Sequence, residues 1–81
     1  MNIKRYGCKT VLLTGGEIAI YSDLKNVYDF LLKNGFNIVL STNGIHKLDN
    51  YFAQSNIVIS AFKKELLSVI IKNYKDFKNI T

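Results

Sequence analysis

Thr10-Val11-Leu12-Leu13-Thr14-Gly15-Gly16-Glu17 is the stretch that decides how this chain is read. Val11, Leu12 and Leu13 form a near-continuous apolar run between threonines, and two glycines stop it. Such a run, short and bounded by glycine, suits a strand buried on both faces of a parallel sheet. Ser22 to Asn34 then reads as a helix. Ser22 is a natural N-cap, and Asp23 suits the positive end of the helix dipole. Leu24, Val27, Tyr28 and Leu31 fall at i, i+3, i+4 and i+7 and make one apolar face. Asn34-Gly35 ends the helix, with Gly35 able to take the left-handed conformation past the cap.

The same alternation continues downstream. Phe36 to Leu40 reads as a second strand, stopped by Ser41-Thr42-Asn43-Gly44. His46 to Gln54 reads as a short helix, Asn56 to Ile59 as a third strand followed by Ser60-Ala61. Phe62, Leu66, Val69, Ile70 and Tyr74 keep helical spacing, which predicts a last helix from Phe62 to about Lys75. Alternating strands and helices predict an α/β fold, a parallel βαβαβα unit. Right-handed crossovers would put all the helices on one face of the sheet. The other face would then expose apolar side chains, which a closed barrel or a partner normally covers. An incomplete chain is the expectation from that argument.

The chain has 81 residues, which predicts one small domain over 1–81. Hydrophobic residues make up 48 % of it, proline is absent, and no stretch has linker composition. No apolar run approaches the roughly 20 residues of a membrane span. Met1 to Lys9 has no apolar core of a signal peptide, so a cytoplasmic location is expected, with no membrane partner. Cys8 is the only cysteine. It can form no internal disulfide, cannot build a cysteine metal site alone, and is expected to fill a small space in the core. The net charge is +5, but the lysines are scattered and Arg5 is the only arginine. Arginine dominates base and phosphate recognition, so the composition favours solvated faces over a nucleic-acid surface. His46, alone at a helix start, is expected at the solvated surface. Tyr28 and Tyr74 lie on apolar helix faces and are expected in the core.

In parallel α/β sheets ligands bind at the carboxyl ends of the strands. Here those ends read Thr14-Gly15-Gly16-Glu17, Ser41-Thr42-Asn43-Gly44 and Ser60-Ala61. Glycine lets backbone approach a ligand closely, and the Glu17 carboxylate could accept hydrogen bonds from an ammonium group. Taken alone, Gly15-Gly16-Glu17 reads as a strand-to-helix turn with a solvated carboxylate.

It does not stand alone. An apolar strand into Thr14-Gly15-Gly16-Glu17, a helix with Asp23-Leu24, then Asn34-Gly35, a strand and Thr42-Asn43-Gly44 follow in order. Together they resemble the radical S-adenosylmethionine superfamily from Gly7 to about Phe77, and Ile57-Val58-Ile59-Ser60 resembles that family's next strand. The resemblance implies strands two to four of a six-stranded partial TIM-type barrel. It implies S-adenosylmethionine as cofactor, with Gly15, Gly16 and Glu17 on its methionine amino group. Thr42 and Asn43 would line the edge nearby, and Ser60 would meet ribose or carboxylate. Two departures matter. Ile18 stands where the family usually has proline, and the CxxxCxxC loop is absent. That loop holds the four-iron four-sulfur cluster, so only a full-length parent would carry the cluster and cleave the cofactor to a radical.

The resemblance therefore implies a truncated or split radical S-adenosylmethionine protein, inactive as this chain alone. Its partner would be the missing part of the barrel or another chain. Two other readings remain open. One is a non-enzymatic interaction module that binds another chain along an open sheet edge. The other is a small basic nucleic-acid-binding protein, whose binding would weaken steeply with salt.

Overall fold

The structure, a computed structural model, describes residues 1–15, 17–60 and 64–80. Among the described residues five strands form one sheet in sequence order: β1 (Asn2–Tyr6), β2 (Thr10–Thr14), β3 (Asn37–Thr42), β4 (Asn56–Ile59) and β5 (Asn79–Ile80). β2 to β5 run parallel to one another, and β1 pairs antiparallel with β2. Helix α1 (Leu24–Lys33) joins β2 to β3, and α2 (Leu67–Tyr74) joins β4 to β5. The fold is mixed α/β with a mostly parallel sheet, as the alternation predicts.

The core lies on one face of the sheet. Val11, Leu13, Ile38, Leu40 and Ile57 are buried there with Leu24, Tyr28 and Leu31 of α1 and Ile70 and Tyr74 of α2. Side chains alternate across a strand, so Leu12, Val39 and Val58 fall on the other face, where they are half-buried. The uninterrupted apolar runs thus cover a fully buried face and a partly covered one.

α1 follows its sequence closely at the C-terminus. Gly35 has φ +82°, its N–H donates to the Leu32 carbonyl at 3.0 Å, and the Phe36 N–H donates to Leu31 at 3.1 Å. These paired bonds are the Schellman closure that a glycine past the cap permits. The N-terminus differs from expectation. Asp23, not Ser22, occupies the cap position, and its side chain makes no capping bond. The Leu24 N–H is taken instead by the Tyr21 carbonyl at 3.1 Å.

Four further expectations differ from the structure. The expectation of only three strands misses β1 and β5. Every residue of β1 is exposed, so it carries no buried face to impose a pattern, and β5 has two residues. Cys8 is exposed in the tight β1–β2 turn and fills no core space. His46 to Gln54 forms no α-helix, only a 3-10 turn over Asn50–Phe52. Asp49 accepts the Tyr51 N–H at 2.8 Å, a local side-chain bond that competes with helix. On α2, Val69 faces solvent while Ile70 and Tyr74 are buried, and Leu66, at the end of the 3-10 turn Lys64–Leu66 before it, is partly so. The contact stripe is the single i, i+4 row, because only a two-residue strand flanks the helix on its outer side. Phe62 lies outside the described residues. Tyr28, Tyr74 and His46 sit as expected, the first two buried and the last exposed.

Candidate functional site

The carboxyl ends of β2, β3 and β4 meet along one edge, and Glu17 joins the first two. Glu17 follows the β2 stop and opens a 3-10 turn over Ile18–Ile20. Ile18 is fully buried, which anchors the turn from below. The Glu17 side chain then reaches across to β3. Oε2 accepts the Ala19 N–H at 2.6 Å, and Oε1 accepts the Asn43 N–H at 2.8 Å. The Thr42 hydroxyl donates to the same carboxylate, 3.0 Å from Oε1 and 2.9 Å from Oε2. Three donors therefore hold one half-buried carboxylate.

Thr42 is 1 % exposed and ends the fully buried row of β3. Its hydroxyl also accepts the Gly44 N–H at 3.3 Å and lies 3.5 Å from the Tyr74 hydroxyl. Asn43 folds its side chain back on its own loop, accepting the Ile45 N–H at 2.9 Å. Asn and Asp make such short backbone-mimicking turns readily. Ser60 joins β4 to β3, its N–H donating to the Thr42 carbonyl at 2.8 Å and its hydroxyl to the same atom at 3.2 Å.

Two glycines at this edge are needed for different contacts. Gly15 has φ +90°, and a Cβ there would lie 2.9 Å from the Asn2 side chain and 3.1 Å from the Asn2 backbone nitrogen. Its lack of a side chain accommodates the start of β1. Gly44, at φ +82°, is packed by Ile70 and Ile59. Gly16 lies outside the described residues.

Of the residues singled out from sequence, Glu17, Thr42, Asn43 and Ser60 are brought together, and Gly15 sits at the β2 end beneath Asn2. Sequence reasoning missed Asn73 and Tyr74, which reach the same edge from α2. Tyr74 carried a readable signal as a buried aromatic with a hydroxyl, since such a group normally finds a partner. Burial first of all, with the Glu17 charge adding to it, holds the Tyr74 phenol protonated above its ordinary value of 10.0. Hydrogen bonding with Thr42 and with the Leu48 backbone pulls the other way.

An ionised carboxylate offers about four acceptor positions. Three protein hydrogens occupy the Glu17 oxygens, which leaves room for about one further donor, such as an ammonium N–H. By that count the carboxylate can accept one ammonium N–H. An iron–sulfur cluster does not fit: Cys8 is the chain's only thiol and lies in the β1–β2 turn, away from this edge. Among the described residues no three His, Cys, Asp or Glu side chains form a metal site, and no helix is long and apolar enough to cross a membrane. Anaerobic supply of iron and sulfide is expected to leave the purified chain colourless. A brown protein with stoichiometric iron would contradict that.

Comparison with family models, with curated proteins and with solved structures finds no match to this chain.

Proposed function

We propose that the carboxyl edge of the sheet is a cofactor-binding edge of the radical S-adenosylmethionine kind, carried on part of a barrel and inactive as this chain alone. The observation that carries this reading is the contact between Glu17 and the Thr42-Asn43 pair, 25 and 26 residues away. Two separate sequence motifs form one hydrogen-bonded unit at the edge where α/β sheets bind ligands. Glu17 is held by Ala19, Thr42 and Asn43, and its carboxylate would accept from the methionine ammonium of the cofactor. Thr42 and Asn43 act through Glu17, and Ser60 ties the β4 end to the same unit. The cofactor supplies the sulfonium that a full-length parent would cleave. This chain binds and orients one end of it.

Helices packed on one face of a mostly parallel sheet support the barrel reading. The antiparallel β1 occupies the outer edge of β2, so further barrel strands would join beyond β5 or displace β1. With no cluster iron sharing the anchorage, affinity is expected to be on the order of millimolar, about 4 kcal/mol. Ligand-observed NMR with S-adenosylmethionine tests the reading, and a wild-type chain that gives no binding signal rejects it.

A second reading, an interaction module, is favoured by two apolar grooves on the helix-bearing side. One, of about 480 Å³, lies between α2 and β5 and includes Leu67, Ile71 and Ile80. The other, of about 370 Å³, lies between α1 and β1 and includes Ile3, Val27 and Phe30. Phe30 is 65 % exposed and Ile71 59 %, a large apolar area for so small a domain. Self-association or poor solubility is the expected behaviour of the isolated chain. Light scattering that gives a clean monomer with cooperative unfolding would refute it.

A further inference from the structure

The loop that leaves β3, residues 43–46, has no regular structure, yet its backbone is held at almost every position. The Asn43, Gly44 and Ile45 N–H groups donate to Glu17, to the Thr42 hydroxyl and to the Asn43 side chain. The carbonyls are held from the opposite side. The Asn73 side-chain amide donates to the Gly44 carbonyl at 3.1 Å and to the Ile45 carbonyl at 2.7 Å. The Tyr74 hydroxyl donates to the His46 carbonyl at 2.7 Å. Three successive carbonyls are thus bound by two successive residues in the last turn of α2.

Neither residue is chosen by helix formation. Asparagine is a poor helix former, because its side chain competes for backbone groups. At position 73 it is half-buried and spends its amide on the loop. Tyr74 is 2 % exposed, so its hydroxyl needs a partner, and the loop carbonyl supplies one. The residue before them on the same helix row, Ile70, closes on Gly44 and leaves no room for a side chain there.

We infer that Asn73 and Tyr74 are positioning residues that fix the β3 loop, and through Asn43 the Glu17 carboxylate, in the shape of the ligand edge. This rests on the reading of that edge as a cofactor-binding surface. Neither residue touches the ligand; each acts through backbone carbonyls that would otherwise face water and let the loop open. A loop pinned from both sides keeps the Glu17 carboxylate that it holds already ordered, which removes an entropic cost from weak binding.

Asn73→Ala and Tyr74→Phe in the full chain test this, because each removes donors and keeps the helix. Amide hydrogen exchange at Asn43, Gly44 and Ile45 is expected to rise about five- to tenfold, while Ile38 to Leu40 keep their rates. An equal rise at both sets, or no rise at the loop, overturns the inference. S-Adenosylmethionine titrations of the same proteins separate it from the reading it rests on. If the wild type does not bind, that reading falls and loop exchange alone decides the positioning role. If the wild type binds, Asn73→Ala is expected to bind at least about fivefold more weakly. Equal binding by the two overturns the inference.

Discussion

Glu17→Gln is expected to destabilise the chain by about 1.5–3 kcal/mol and to abolish detectable S-adenosylmethionine binding. Glutamine keeps the shape of glutamate but has one acceptor oxygen and one amide group. Glu17 Oε1 faces the Asn43 N–H and Oε2 faces the Ala19 N–H. Whichever way glutamine is turned, its NH₂ meets one of those two backbone donors. One partly buried N–H loses its acceptor, and the Thr42 hydroxyl loses a charged one. Hydrogen bonds to charged groups carry the largest mutational costs of their kind. A domain of 81 residues has roughly 4–12 kcal/mol to lose. Glu65→Gln, on an exposed 3-10 turn, is expected to change neither quantity. Urea unfolding and ligand-observed NMR on the three proteins give the result. If Glu17→Gln matches the wild type in stability, the carboxylate does not clasp β2 to β3. If both bind the cofactor equally, Glu17 is not its handle.

Gly44→Ala should be the more damaging of two glycine substitutions that look alike in sequence. Gly7 and Gly44 both have positive φ, +71° and +82°. A Cβ on Gly7 would meet nothing within 4 Å, so Gly7→Ala carries only the backbone cost, about 1–2 kcal/mol. A Cβ on Gly44 would stand 2.9 Å from Ile70 Cγ1 and 3.3 Å from Ile59 Cγ2. Ile70 is buried and β-branched, so it cannot swing aside, and α2 must move instead. Overpacking adds about 1–3 kcal/mol, for a total of about 2–5. Displacing α2 also draws Asn73 and Tyr74 off the β3 loop. Chemical denaturation of the two variants compares them directly, and equal losses would mean that α2 does not press on Gly44.

Elements with one buried face were legible in the sequence. β2, β3 and α1 each bury a row of apolar side chains, β4 buries Ile57 with Ile59 partly buried beyond it, and burial imposes periodicity on the residues that supply it. Gly35 was legible because a left-handed closure makes a local demand that glycine meets best. The grouping of Glu17, Thr42, Asn43 and Ser60 followed from the order of the strands, since every parallel strand brings its carboxyl end to the same side. β1 was hidden because an edge strand exposed along its whole length needs no particular side chain at any position. The stretch from His46 to Gln54 departs from the expected helix because the Asp49 side chain caps a single 3-10 turn there.

What the sequence by itself determined is the α/β alternation, the parallel pairing and the gathering of Glu17, Thr42, Asn43 and Ser60 at one edge. Tertiary structure alone decided that the Glu17 carboxylate bonds Thr42 and Asn43 instead of standing free, and that Asn73 and Tyr74 hold the loop. The reason is the range of the interactions. Periodicity and turn chemistry act over a few residues and leave a mark on the local pattern. A hydrogen bond between groups 25 or more residues apart leaves none, because any donor at the right place in space would serve.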